Sequence, residues 1–142
     1  MCGGHALKSW ASTQKNITLS SAEAELVAAV KMSTELIGMT QLAADWGYDL
    51  RGKVHIDSTA AIGVIQRQGC GKMRHVRIGD LWIQEKVAEG DLEVAKIGGE
   101  WNPADLFTKG LGELKIRRFM HLINQEYEDG RAEQALANKK GK

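Results

Sequence analysis

Short apolar runs alternate along this chain with longer stretches of helical spacing, and an acidic residue stands at three of the junctions. These are Glu25 in LSSAEAELVAA, Asp57 in VHIDSTAAIGVIQ and Asp105 in WNPADLFTKGL. Strands that feed helices bury one face of each element against the other, which puts the chain in the α/β class. The composition agrees: 142 residues with 43% hydrophobic, 26% charged and a single proline, Pro103, describe one globular domain and exclude a fibrous or disordered chain.

Residues 5–10 alternate apolar and polar side chains, and residues 16–20 carry β-branched Ile17 and Thr18, so two short extended pieces come first. Gly3-Gly4 before them reads as a hairpin turn whose first strand lies upstream of Met1. Ser20-Ser21-Ala22-Glu23 is a capping box. Leu26, Ala29, Val30, Ser33, Ile37 and Thr40 follow it at helical spacing, which predicts a long helix to Trp46-Gly47 that packs on a sheet. Residues 53–56 form a short strand, and a second helix runs from Asp57-Ser58 through Gln68 to a stop at Gly69 and Gly71. A third helix covers residues 75–88, a strand residues 92–97, and Gly98-Gly99 a turn. Asn102-Pro103 opens a helix through Lys109 with proline in its favoured first turn. Residues 114–126 read as a last helix and residues 127–142 as a frayed polar tail.

No run approaches the roughly 18 apolar residues of a membrane span. The start, MCGGHALKSW, lacks the basic-then-apolar order of a signal peptide, so an intracellular protein is expected, with no membrane and no small-molecule cofactor. Cys2 and Cys70 make no CxxC or Cys/His ligand spacing, which argues against zinc and for reduced thiols. A net charge of +1 leaves nucleic-acid affinity to local clustering. Arg67, Lys72, Arg74, His75 and Arg77 supply such a cluster around QRQGCGKMRH, in a stretch from Ser58 to Gly79 without an acid. The same groups suit phosphate contacts or a solvated loop and helix end, and both readings stand.

The acids divide by duty. Glu23 lies three residues after Ser20, where a capping box uses it, whereas Glu25 is turned from Glu23 by about 200° and faces nearer the packed side. Asp57 suits an N-cap, yet it also ends a strand, and ligands of open α/β sheets gather at strand carboxyl ends. Asp105 suits the first turn of a helix capped by Asn102. His55, two residues before Asp57, reads as packing. Together Glu25, Asp57 and Asp105 suggest a carboxylate cluster for divalent cations and metal-assisted phosphodiester hydrolysis. Residues 1–22 contain no Asp or Glu, so no fourth carboxylate comes from an earlier strand.

LSSAEAE, the strand ending IDS followed by AAI, RHVRIGDLWIQEKV and NPADLFTK, in this order, resemble the ribonuclease H domain of Copia-type long-terminal-repeat retrotransposon Pol polyproteins. The resemblance runs from about Gly3 to about Ile123. It implies a ribonuclease H-like fold, a mixed sheet with flanking helices, over residues 1–126. It also implies two Mg²⁺ ions, with Mn²⁺ as a substitute, held by an Asp, Glu, Asp, Asp set. Motif matching puts the family's glutamate on Glu25, its second aspartate on Asp57 and its last on Asp105. In such a site one ion activates a water and the other stabilises the leaving 3′ oxygen as the RNA strand of an RNA–DNA hybrid is cut. The partners implied are the hybrid and the reverse transcriptase region of the same polyprotein, in a cytoplasmic retrotransposon particle or the nucleus. The family's first aspartate lies on a first strand within a motif resembling SDADWA, and that strand has no counterpart here. Met1 to Gly4 resemble the end of the second strand and SWASTQKN the third. The expectation is a domain lacking the first strand and most of the second, inactive by itself. The alternative is a catalytically dead fragment that binds nucleic acid through the basic segment. A histidine found in many cellular ribonucleases H before the last aspartate is absent from residues 98–101. An integrase-type nuclease is the weaker reading, since it uses a different acid order.

Overall fold

Ser20 starts the longest element. Its Oγ accepts the N–H of Glu23 at 3.2 Å, and the Glu23 carboxylate accepts the N–H of Leu19 at 2.8 Å. The capping box is present, with its return bond one residue earlier than the cap's own N–H. Helix α1, Ser21–Asp45, then runs for 25 residues, about 37 Å at the usual rise. It ends at Gly47, whose φ of +86° turns the chain so that the N–H groups of Gly47 and Tyr48 return to the carbonyls of Ala44 and Ala43 at 2.9 Å each. A side chain strains at that angle, so glycine is what lets the helix close its last carbonyls. Asn124 ends the last helix with the same pair of bonds, at φ 55°.

The computed structural model describes residues 1–2, 4–14, 18–69, 71 and 78–126. After α1 come β1 (Gly52–Ile56), α2 (Thr59–Ile65), a 3-10 turn (Ile78–Leu81), α3 (Trp82–Ala88), β2 (Leu92–Lys96), a second 3-10 turn (Pro103–Phe107) and α4 (Glu113–Leu122). The α/β class is therefore observed. β1 and β2 pair in parallel from Gly52 opposite Leu92 to Ile56 opposite Lys96, and the Ile97 N–H extends the ladder to the Ile56 carbonyl at 3.0 Å. Parallel neighbours require a crossover, which α2 and α3 provide.

By its internal contacts the chain divides into two compact units, Ser12–Asn102 and, separately, Met1–Ala11 with the segment that starts at Pro103. The core of the first is built from Leu26 and Ala29 of α1, Val54 and Ile56 of β1, Ala61, Val64 and Ile65 of α2, Ile83 of α3 and Leu92 of β2. β1 alternates strictly, with Gly52, Val54 and Ile56 buried and Lys53 and His55 exposed. Gly52 is glycine because α1 comes close: a Cβ there would meet the side chains of Leu36 and Leu92 at 3.1 Å. In the other unit Cys2 and His5 exchange both backbone hydrogen bonds at 2.9 Å around Gly4, which is the expected tight turn. There α4 buries Phe119 completely, with the Lys115 ammonium 5.6 Å from its ring centre.

Several expectations shift. Residues 6–14 join no strand among the described residues. Helix α2 stops at Ile65 rather than Gln68, because the chain leaves helical geometry well before Gly69. The stretch expected as one helix over residues 75–88 is a 3-10 turn followed by α3, and residues 75–77 lie outside the described residues. Pro103 opens a five-residue 3-10 turn instead of a helix to Lys109. The last helix is Glu113–Leu122. His55 is exposed on the sheet face rather than packed. Among the described residues no helix is long and apolar enough to cross a membrane. The proposed tail, residues 127–142, lies outside the described residues.

Candidate functional site

Asp57 follows the last residue of β1, at the carboxyl end of the strand, and is half-buried. The cap of α2 is not Asp57 but Ser58, whose Oγ accepts the Ala61 N–H at 3.2 Å. This corrects the capping interpretation of Asp57: the next residue does that work, and the carboxylate is left for other partners. Asn102 Nδ2 stands 3.5 Å from Asp57 Oδ2, the long end of hydrogen bonding. On the neighbouring strand Lys96, opposite Ile56 in register, donates its ammonium to the Thr59 hydroxyl. The carboxyl ends of the two parallel strands thus collect a carboxylate, an amide and a hydroxyl-held ammonium, all within the Ser12–Asn102 unit.

Glu25 lies in the same unit, on the second turn of α1, and its side chain is exposed. The expectation that it faces nearer the packed side is corrected. The buried stripe of α1 runs through Leu26, Ala29 and Ser33, and at about 100° per residue Glu23 and Glu25 flank its centre by roughly 80° on opposite sides. Glu23 is half-buried and occupied by the Leu19 N–H, whereas Glu25 projects from the opposite flank with no capping duty.

Asp105 belongs to the other unit and is buried, with 7% of its side chain exposed. Lys109 Nζ lies 2.8 Å from its Oδ1, and its backbone carbonyl accepts the N–H groups of Thr108 and Lys109 at 3.2 and 3.0 Å. A carboxylate is tolerated at this depth because a cation meets it. Within neither unit, among the described residues, do three or more His, Cys, Asp or Glu side chains gather closely enough to hold a metal ion.

Of the basic cluster, Arg67 is half-buried, and its guanidinium lies where a Cβ on Gly71 would collide with it. Gly71 has φ +56°, a conformation that favours glycine there. Lys72, Arg74, His75 and Arg77 lie outside the described residues. Sequence reasoning missed Gln84 on α3. Its Nε2 donates to the carbonyls of Val64 at 2.7 Å and Gly69 at 3.1 Å, and its Oε1 accepts the Gly69 N–H at 2.9 Å, which fixes the loop where the basic segment begins. The available signal was a polar residue directly after the apolar pair Trp82-Ile83. Lys96, Thr59 and the Asn102 contact were missed as well, because the register that sets Lys96 opposite Ile56 and the 45-residue span between Asp57 and Asn102 leave no local pattern.

Over 118 residues, 81% of its length, the chain is 34% identical to the "Retrovirus-related Pol polyprotein from transposon TNT 1-94" of Nicotiana tabacum. The chain spans 9% of that relative. It is thus homologous to a segment of a retrotransposon Pol polyprotein. No protein-family model matches the chain, and no solved structure does.

Proposed function

We propose that this chain is the ribonuclease H-like segment of a Copia-type retrotransposon Pol polyprotein, and that Glu25, Asp57 and Asp105 are ligands for divalent cations. The observation that carries the reading is Asp57 itself: a carboxylate at the carboxyl end of a parallel strand, relieved of capping by Ser58. Similarity to a retrotransposon Pol polyprotein over 81% of the chain supports the context. Mg²⁺ is a hard cation that takes carboxylate oxygens, the donors that Glu25, Asp57 and Asp105 would supply. Asp105 would exchange Lys109 for the cation, a replacement of one positive partner by another. Held by Glu25, Asp57 and Asp105, divalent cations would supply activation of a water and charge stabilisation at the departing 3′ oxygen. The chain's own contribution is to orient the carboxylates and bind phosphates. Arg67, Lys72, Arg74, His75 and Arg77 are proposed to hold an RNA–DNA hybrid by its backbone, independent of sequence. The reverse transcriptase region of the same polyprotein is the proposed partner, in a cytoplasmic particle or the nucleus.

The test is cutting of a labelled RNA–DNA hybrid in Mg²⁺ and in Mn²⁺, by the chain and by a version extended N-terminally with strands that carry the family's first aspartate. Cutting by the extended version that disappears in Glu25→Gln, Asp57→Asn and Asp105→Asn is the expected result. Hybrid bound but never cut, in either version, would overturn hydrolysis in favour of a nucleic-acid-binding remnant.

A further inference from the structure

The ammonium of Lys96 stands one strand over from Asp57, and this placement follows from register. Lys96 is opposite Ile56, the residue before Asp57, and it reaches across to the hydroxyl of Thr59, two residues after Asp57. Its charge is therefore held against the same strand end by a neutral oxygen. The contrast is with Lys53 on β1, which meets its register partner Glu93 at 2.5 Å at the other end of the ladder, and with Lys86 on α3, which meets Glu89 at 2.6 Å and Asp91 at 3.0 Å. Among the described residues no carboxylate pairs with Lys96, and its side chain is exposed at the rim of the strand ends. A hydroxyl is a weak partner for an ammonium. It orients the group while leaving two of its three N–H bonds for an incoming anion.

We propose that Lys96, oriented by Thr59, contacts a backbone phosphate of the nucleic acid at the strand end that carries Asp57. This rests on the hybrid-binding reading above and adds to it a substrate contact outside the basic segment of residues 67–77. A cation on the neighbouring strand end also has a local use. A phosphodiester approaching Asp57 brings negative charge towards negative charge, and an ammonium carried by the neighbouring strand offsets that repulsion without neutralising Asp57 itself. Thr59 acts as a positioning residue, since without its hydroxyl the lysine side chain is free to sample its rotamers.

The experiment is titration of a fluorescent RNA–DNA hybrid with the intact chain in EDTA, so that binding is read without cutting, over a series of salt concentrations. Lys96→Gln should weaken binding about three- to tenfold near 0.1 M salt and reduce the log K against log salt slope by about 0.7 to 0.9, the value of one phosphate contact. Lys96→Arg should restore the slope, because any cation at that place serves, and Thr59→Val should lose affinity while keeping most of the slope. An unchanged slope in Lys96→Gln overturns the proposal, as does a slope that Lys96→Arg fails to restore, since that pattern marks a structural lysine. If Lys96→Gln leaves binding untouched while alanines at Lys72, Arg74 and Arg77 weaken it, the hybrid-binding reading survives and Lys96 alone is ruled out. Failure of the unaltered chain to bind the hybrid at any salt overturns both.

Discussion

Gln84 treats Gly69 much as a neighbouring strand would, accepting its N–H at 2.9 Å and donating to its carbonyl at 3.1 Å. A third bond, from the same amide to the Val64 carbonyl at 2.7 Å, takes up an acceptor that the short helix α2 leaves open at its end. One side chain therefore closes a helix terminus and fixes the loop that follows it. Gln84→Ala is expected to cost about 1 to 3 kcal/mol by urea denaturation, and Gln84→Glu at least as much, because a carboxylate would face two carbonyl oxygens. A loss below about 0.5 kcal/mol in both would mean that water replaces the amide without penalty.

Ser58 and Asp57 should separate by experiment as they do by geometry. Ser58→Ala removes the cap of α2 and should lower stability by about 1 kcal/mol. Asp57→Asn should change stability by no more than about 0.5 kcal/mol while abolishing metal-dependent cutting in the extended protein. Equal losses of stability in thermal melts of the two variants would return Asp57 to a structural role.

A second pair, two residues apart on α1 and different in duty, is Glu23 and Glu25. Glu23→Gln weakens the bond to the Leu19 N–H and should cost about 1 kcal/mol or less, with cutting retained. Glu25→Gln, on an exposed flank, should remove cutting. Cutting lost in Glu23→Gln and spared in Glu25→Gln would show that the catalytic glutamate has been assigned to the wrong residue.

For the basic segment the observable is salt dependence. Replacing Lys72, Arg74 and Arg77 together by alanine should flatten the log K against log salt slope for hybrid binding by up to about 2 to 3 units. If the slope does not move, those side chains are a solvated surface.

What the sequence disclosed was local. The start of α1 was legible because Ser20 and Glu23 signal within four residues, and its end because Gly47 carries the one angle that closes a helix. The site was legible as a set of acids and no further. Asp57 and Ser58 are both good capping residues, and only the geometry of the turn decides that the serine caps. The exposure of Glu25 depends on which stripe of α1 meets the sheet, a tertiary choice that the helical period leaves open within one residue either way. Pro103 begins α-helices and 3-10 turns equally well, so the shorter element was invisible. Gln84 and Lys96 act across 15 and 37 residues of chain, beyond the reach of any local pattern.

The parallel pairing of β1 with β2 dictates an order of events in folding. Gly52 meets Leu92 only after the whole crossover, α2 and α3 included, has been drawn together, whereas the turn between Cys2 and His5 closes over two residues. Hairpin closure takes about 1 to 10 μs, while strands joined by a long connection wait on loop closure and on helices that are too short to persist alone. α2 and α3 have seven residues each, so they and the sheet must form in one step. The amides of Val54 and Ala95, which the parallel ladder directs at the facing strand, should accordingly exchange with solvent at one common rate, set by the opening of the entire crossover, and Asp57 and Lys96 would come apart in that same opening.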